Sequence, residues 1–250
     1  MEIQLVRNAT LWLAYGGLRF LVDPMLADSG AYPAFPNTPN DRRNPLVPLP
    51  GPVEQWLAPD AVIVTHLHND HWDGTAKERL SSSVPVICQP GDDEQISADG
   101  FTNVTAISEG LDQKGIMLNR TSGQHGTGEI GKLMGNVSGF VLRAAGEPTL
   151  YIAGDTIWCD DVREAIDAYR PDVIIVNAGG ARFTYGDPIT MDDRDIASLC
   201  RYAPEAQVVA VHMDAINHCL VTKADLEHRL KELQLAGQVR IPSDGETIAY

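Results

Sequence analysis

Three of the chain's seven histidines fall within six residues, in the run His66-Leu67-His68-Asn69-Asp70-His71. Imidazole nitrogens and carboxylate oxygens are ligands that zinc, manganese and iron all accept in proteins. His66 and His68 are two residues apart, so an extended backbone directs both rings to the same side. Asp70 and His71 follow where the chain can turn. The run therefore predicts a metal centre in which one loop serves two ions.

A two-metal site needs more ligands than one loop supplies, and three later residues are candidates. His125 lies in a glycine-flanked loop, Asp155 follows the run Tyr151–Gly154, and His212 follows the run Val208–Val211. Taken singly, each could be a capping or hydrogen-bonded core residue. Because strand ends on one edge of a sheet form a shared cleft, their recurrence after apolar runs favours a single distributed site.

Short apolar runs predict the strands that position these residues, and amphipathic stretches predict helices. The predicted strands are residues 3–6, 11–15, 18–22, 61–64, 84–87, 104–107, 115–118, 139–143, 149–153, 173–176 and 208–211. The predicted helices are residues 75–80, 92–98, 160–169, 192–201 and 223–235. The helices are too few to follow every strand. An α/β fold with a pair of mixed sheets and helices outside therefore fits better than a regularly alternating barrel.

The segment from Ala27 to Pro52 is rich in proline and lacks regularly spaced apolar pairs. It is predicted to be a long irregular loop. Loops of this length inside a domain often form lids or binding walls, and the alternative is a structural wrap across the helices.

Composition limits the classes of partner. The 19 lysines and arginines against 34 aspartates and glutamates give a net charge of −15, which disfavours nucleic-acid binding. The N-terminus lacks the features of a secretory signal, and the apolar runs are too short to cross a bilayer. Four scattered cysteines are expected to be reduced thiols. We expect one domain over residues 1–250, in the cytoplasm, without a membrane partner and with a small-molecule substrate. The oligomeric state stays open, a homo-oligomer included.

The His66–His71 run, followed in order by His125, Asp155 and His212, resembles the metallo-β-lactamase superfamily. The resemblance covers nearly the whole chain. Three further segments are similar to the branch that contains L-ascorbate-6-phosphate lactonase: Asn8–Thr10, Leu21–Pro24 and Ala153–Thr156.

The resemblance implies a four-layer αβ/βα sandwich of two mixed sheets, with two divalent metal ions at one edge. Zinc is the first expectation, and manganese or iron are alternatives. The implied ligand sets are His66, His68 and His125 for one ion, and Asp70, His71 and His212 for the other. Asp155 would bridge the two ions.

Two ions about 4 Å apart lower the pKa of a shared water, so a bridging hydroxide can attack the substrate at neutral pH. Asp70 would orient this nucleophile or pass a proton to the leaving group. We therefore expect a lactonase-like hydrolase of a small ester, lactone or phosphoester. The alternatives are an iron-dependent oxidoreductase of the same fold and a non-catalytic metal-binding regulatory protein.

Several other residues carry two interpretations. His218 would donate a proton or hydrogen bond to the substrate, or pack on the turn after His212. Asp73 would orient a ligand imidazole or cap the helix that begins near Thr75. We interpret Trp72 as a packing residue.

Four loop residues could border the cleft or be solvated: Arg42, Arg43, Arg182 and Tyr185. An arginine there would suit a phosphate or carboxylate group. His228, inside the final amphipathic helix, is predicted to lie on the surface.

Overall fold

Two seven-stranded sheets form the centre of the computed structural model, which describes residues 1–250. In chain order the strands are β1 (Glu2–Arg7), β2 (Thr10–Tyr15), β3 (Leu18–Val22), β4 (Ala61–Ile63), β5 (Val86–Cys88), β6 (Val104–Ala106), β7 (Gly110–Gln113), β8 (Ile116–Ser122), β9 (Ser138–Arg143), β10 (Leu150–Ile152), β11 (Val173–Asn177), β12 (Gln207–Val211), β13 (Val239–Arg240) and β14 (Thr247–Ala249). The first sheet has the order β14-β1-β2-β3-β4-β5-β6, and the second has the order β13-β12-β11-β10-β9-β8-β7.

The chain has six helices. They are α1 (Gly74–Arg79), α2 (Asp93–Ala98), α3 (Gly128–Met134), α4 (Asp160–Tyr169), α5 (Asp193–Tyr202) and α6 (Lys223–Glu232), and one 3-10 turn spans Val53–Trp56. Of these, α3 packs against loop residues, and the other five contribute to the outer cores of the sheets. Asp192 caps α5, and Thr222 forms a capping box with Asp225 at the start of α6. None of these helices has both the length and the apolar character needed to cross a membrane.

Three apolar cores separate the layers. One lies between the sheets, where Phe20 of β3 and Phe140 of β9 belong to the same buried cluster. A second covers the outer face of the first sheet with residues of α1 and α2, and a third covers the second sheet with residues of α4, α5 and α6. The two mixed sheets flanked by helices confirm the predicted αβ/βα sandwich.

Strand direction brings several carboxyl ends to one edge of the second sheet. β10, β11 and β12 run parallel to one another. β9 is antiparallel to both β8 and β10, so β8 has the same direction as β10. In the first sheet β3, β4 and β5 are also parallel.

All the predicted strands and helices are present, with ends shifted by a few residues. The strand predicted at 115–118 was wrong at its start, since Gly115 has φ +87° and lies in the turn between β7 and β8. β7, β13, β14 and α3 were not predicted because they are short and have little apolar periodicity.

Candidate metal centre

The predicted ligands follow four strands. The His66–His71 loop comes after β4 of the first sheet, whereas His125, Asp155 and His212 come after β8, β10 and β12 of the second. The expectation of one sheet edge was therefore wrong in one respect, because the site lies where the ends of both sheets meet. All seven predicted ligands are brought together here, and all except the half-buried His68 are buried.

The side chains form three overlapping groups in which the ligand atoms lie within 4.8 Å of one another. These groups are His66 with His68 and His125, His66 with His71 and Asp155, and Asp70 with His71 and His212. The first and third groups correspond to the two predicted ligand sets. The second group joins them.

Asp155 lies between the two sets. Its Oδ2 is 3.3 Å from His71 Nε2 and 3.5 Å from His125 Nε2, and its Oδ1 is 3.6 Å from His212 Nε2. Gly154 has φ +72°, and a Cβ there would lie 2.6 Å from the Ser138 carbonyl oxygen. Only glycine fits this turn, which directs the Asp155 carboxylate into the cluster.

The outer ring nitrogens of two histidines are held by fixed acceptors. Nδ1 of His71 donates to Asp23 Oδ2 at 2.8 Å, and Nδ1 of His125 donates to the Ile189 carbonyl oxygen at 2.7 Å. With Nδ1 protonated, Nε2 carries the free lone pair. This is how proteins orient imidazole ligands toward a metal.

Asp23 also supports the first ligand set through Thr65. The Thr65 hydroxyl donates to Asp23 Oδ2 at 2.7 Å and lies 3.1 Å from Nδ1 of His66. Sequence reasoning did not assign Asp23 a role in the site. The available signal was a carboxylate directly after β3, a strand that runs parallel to β4.

His212 is held in an uncommon backbone conformation, with φ +62°. Its N–H donates to the Asn8 carbonyl oxygen at 2.9 Å, while the Asn8 amide donates to the Asp70 carbonyl oxygen at 2.9 Å. The Cys219 sulfur lies 3.3 Å from Nδ1 of His212. A non-glycine residue with positive φ costs on the order of 1 kcal/mol or more, and such residues concentrate at functional sites.

Three buried carboxylates give the cluster an excess of negative charge. Burial opposes the charged form of His71, but Asp155, Asp23 and Asp70 outweigh it and raise its pKa to about 10. Burial and the neighbouring His71 and His68 hold the pKa of His66 well below its usual range. Paired buried carboxylates with converging imidazole nitrogens need a compensating cation, so this donor set fits divalent metal ions.

A cavity of about 280 Å³ opens onto this cluster. It is lined by Phe35, Pro36, His68, Asn69, Asp70, His125, Met134, Asp155, Phe183, Ile189 and His218. The proline-rich segment 27–52 contributes Phe35 and Pro36, so this segment forms a wall of the cavity. No lysine or arginine is among the lining residues.

Asn217 holds that segment in place. Its side-chain oxygen accepts from the Phe35 N–H at 3.1 Å and from the Asn44 amide at 2.8 Å. Its side-chain amide donates to the Thr38 hydroxyl at 2.6 Å and to the Asn40 carbonyl oxygen at 3.0 Å. One buried side chain therefore joins four residues of the loop that carries Phe35.

The remaining predicted residues lie outside the cavity. The Arg43 guanidinium donates to the carbonyl oxygens of Gly30 and Ala31, and the backbone N–H of Arg182 donates to the His218 carbonyl oxygen. Arg42 and Tyr185 are exposed and do not line the cavity.

Asp73 caps α1 by accepting from the Ala76 N–H at 2.7 Å. It makes no hydrogen bond to a ligand imidazole, so the orienting role suggested for it was wrong, and Asp23 occupies that place. Trp72 is buried as expected, and His228 is exposed on α6.

A family model for the beta-lactamase superfamily domain matches residues 18–213, a range that contains every predicted ligand. The chain belongs to this superfamily. It is 39% identical over 254 residues to UPF0173 protein YddR of Bacillus subtilis, with both chains covered completely. It is 32% identical over 167 residues to a UPF0173 metal-dependent hydrolase of Thermoplasma acidophilum. That alignment covers 66% of this chain and 65% of the relative.

Among solved structures, this superfamily member is similar to an isothiocyanate hydrolase from Delia radicum gut bacteria. The TM-score is 0.96 and the sequence identity is 37%, over 100% of this chain and 99% of that chain. Fold, relatives and donor clusters together identify a metal-dependent hydrolase of the metallo-β-lactamase fold. The finer assignment to the lactonase-like branch stays a prediction.

Proposed function

We propose that the protein uses two divalent ions to hydrolyse small uncharged substrates that carry an apolar group, and that isothiocyanates are the first class to test. One observation carries the choice of substrate. The cavity above the ligand cluster combines Phe35, Met134, Phe183 and Ile189 with no cationic side chain. Such a lining favours binding of a neutral, apolar molecule over an anion.

Seven residues would hold the ions. His66, His68 and His125 would bind one, Asp70, His71 and His212 the other, and Asp155 would contact both. When bound, two divalent ions lower the pKa of a shared water and polarise the electrophilic atom of the substrate. The three overlapping donor groups support this arrangement, because the group that contains Asp155 shares a residue with each of the other two.

Asp70 lies at the boundary between the donor cluster and the cavity. Its Oδ2 is 3.2 Å from His212 Nε2, and the residue also lines the cavity. Burial raises the pKa of this carboxyl, but the neighbouring imidazoles of His71 and His212 outweigh it, so the pKa lies well below its usual range. An ionised Asp70 can orient the attacking water by accepting a hydrogen bond from it.

Among the substrate classes expected from the sequence, the cavity favours esters and lactones over phosphoesters. Arginine and lysine contacts commonly add to the binding of a phosphoester anion, and this lining lacks them. Isothiocyanates share the uncharged, electrophilic carbon of an ester. Water adds to that carbon and the carbon–nitrogen bond then breaks, so R–NCS and H2O give R–NH2 and carbonyl sulfide. The similarity to an isothiocyanate hydrolase supports testing this class first.

The test begins with metal quantification on protein purified without chelator, together with a visible spectrum that would reveal a redox-active iron centre. Metal-loaded protein is then assayed with benzyl isothiocyanate, 4-nitrophenyl acetate, a δ-lactone and 4-nitrophenyl phosphate. We expect turnover of the first substrate, with phosphate ester hydrolysis the slowest. Equal activity of wild type and Asp70→Ala, or chelation that alters only the melting temperature, would sink the proposal.

A further inference from the structure

His218 is a buried polar side chain without a partner. It is 7% exposed, and neither ring nitrogen makes a hydrogen bond within the protein. An unsatisfied buried polar group costs about 1 to 3 kcal/mol, so a native structure retains one where something else uses it. The residue lines the same cavity as Asp70 and Asp155.

Two aromatic rings fix the orientation of His218. The Phe35 ring meets it edge to face at a centroid distance of 4.9 Å, and the Phe183 ring is nearly parallel to it at 6.1 Å. These contacts provide packing but no acceptor for an N–H group. The imidazole is therefore held in place by packing, while its ring nitrogens have no hydrogen-bond partner within the protein.

The burial of the two ring nitrogens differs. Nδ1 is sealed from solvent, which leaves Nε2 as the nitrogen that can face the cavity. A proton on Nδ1 would be a donor with no acceptor, and this is the more costly arrangement. Burial lowers the pKa of His218 to about 4, so the ring is neutral near pH 7. The preferred neutral tautomer carries its proton on Nε2.

Building on the hydrolytic function proposed above, we infer that His218 donates a hydrogen bond from Nε2 to the substrate heteroatom that gains negative charge as water adds. For an isothiocyanate this atom is the sulfur or nitrogen of the N=C=S group, and for an ester it is the carbonyl oxygen. His218 then contacts the substrate without ligating a metal. This agrees with its absence from the three donor groups.

The test compares His218→Phe and His218→Gln with wild type, using benzyl isothiocyanate and 4-nitrophenyl acetate as probes. Phenylalanine keeps the aromatic packing and removes the donor, whereas glutamine keeps a donor. Removal of one such donor costs about 100-fold or more in kcat, so we expect that loss for His218→Phe with a much smaller change in KM. His218→Gln should retain part of the rate.

His228→Phe, on the exposed face of α6, is the matched control and should leave kcat unchanged. Bound metal and melting temperature are measured for every variant. A His218→Phe protein with wild-type metal content and a kcat within threefold of wild type would overturn the inference while leaving the proposed function intact. Absence of turnover by metal-loaded wild type would instead overturn the proposed function, and this inference with it.

Discussion

The donor cluster and the cavity wall meet in one cleft but are held in different ways. The cluster is built at strand ends, and the outer nitrogens of His71 and His125 are fixed by hydrogen bonds. The wall comes from loops and from the end of α3, and the backbone N–H of its aromatic residue Phe35 donates to the side chain of Asn217. Moreover, the imidazole of the wall residue His218 has no hydrogen-bond partner within the protein.

This difference indicates a division of labour. Chemistry at a metal centre needs ligands fixed to a fraction of an ångström, and rigid strand ends provide that precision. Recognition of a substrate needs a surface that can vary in shape without disturbing the ligands, and loops provide it. Changes in the cluster should therefore affect all substrates alike, whereas changes in the wall should affect them selectively.

The largest effect is expected for Asp155→Asn, because Asp155 contacts histidines of both ligand sets. A loss of several kcal/mol of transition-state stabilisation corresponds to about 1,000-fold or more in kcat/KM. The loss should be similar for every substrate and should accompany reduced metal content by elemental analysis. Asp187→Asn, at an exposed loop residue, is the control. Full metal content and full activity in Asp155→Asn would contradict the functional distinction between the cluster and the wall.

For Asp23→Asn we expect a smaller loss of metal affinity and activity, again similar for every substrate. Asp23 anchors His71 directly and His66 through Thr65, and loss of such an outer anchor costs about 10- to 100-fold in metal affinity or activity. Competition with a chromogenic chelator measures the affinity. Asp73→Asn removes a carboxylate that bonds only backbone N–H groups, so its metal affinity should stay at the wild-type value. Equal effects of the two variants would contradict the role of Asp23.

Phe35→Ala should produce a selective effect of about tenfold, since an aromatic contact contributes on the order of 1 kcal/mol beyond its buried area. We expect kcat/KM to fall for benzyl isothiocyanate and to change little for methyl isothiocyanate, with metal content unaltered. The ratio of the two rates is the measurement. A uniform loss for both substrates would mean that Phe35 belongs functionally with the cluster.

The smallest expected effect is the release of protons when the metal binds. In the metal-free protein the pKa of His71 is raised from 6.5 to about 10, so its proton stabilises the fold below pH 6.5 and this contribution is lost as pH rises through 10. A metal must displace that proton, so binding at pH 7.5 should release at least about one proton. Calorimetry in two buffers of different ionisation enthalpy measures the release. His218→Gln should leave it unchanged, because His218 is already neutral at that pH.

The same division explains what could be predicted from the sequence. The pair of mixed sheets with outer helices, and the meeting of His66, His125, Asp155 and His212, followed from apolar runs that end in ligand-type residues. Such patterns are local, and because the strands run parallel, the residues that follow them meet at the same end of their sheet. The four-layer αβ/βα order of the sandwich was implied by the resemblance to the metallo-β-lactamase superfamily.

The sequence indicated segment 27–52 as a candidate wall, but the placement of its individual residues could not be predicted in the same way. The placement of Phe35 depends on Asn217, which is 182 residues away in the chain. The anchor Asp23 was also missed, since its acceptor role depends on β3 and β4 lying side by side in the sheet. Long-range hydrogen bonds of loop residues leave no periodic signal in a sequence.

The ligands that follow β4 belong to one sheet, and those that follow β8, β10 and β12 belong to the other. An ion bound by ligands from both groups would therefore link the two sheets of the sandwich to each other. A ligand that binds only the native state raises the free energy of unfolding by mass action. The concentration of free metal would therefore set how stable the packing of the two sheets is. Chelation would then expose the molecule to unfolding and proteolysis along the seam between its sheets.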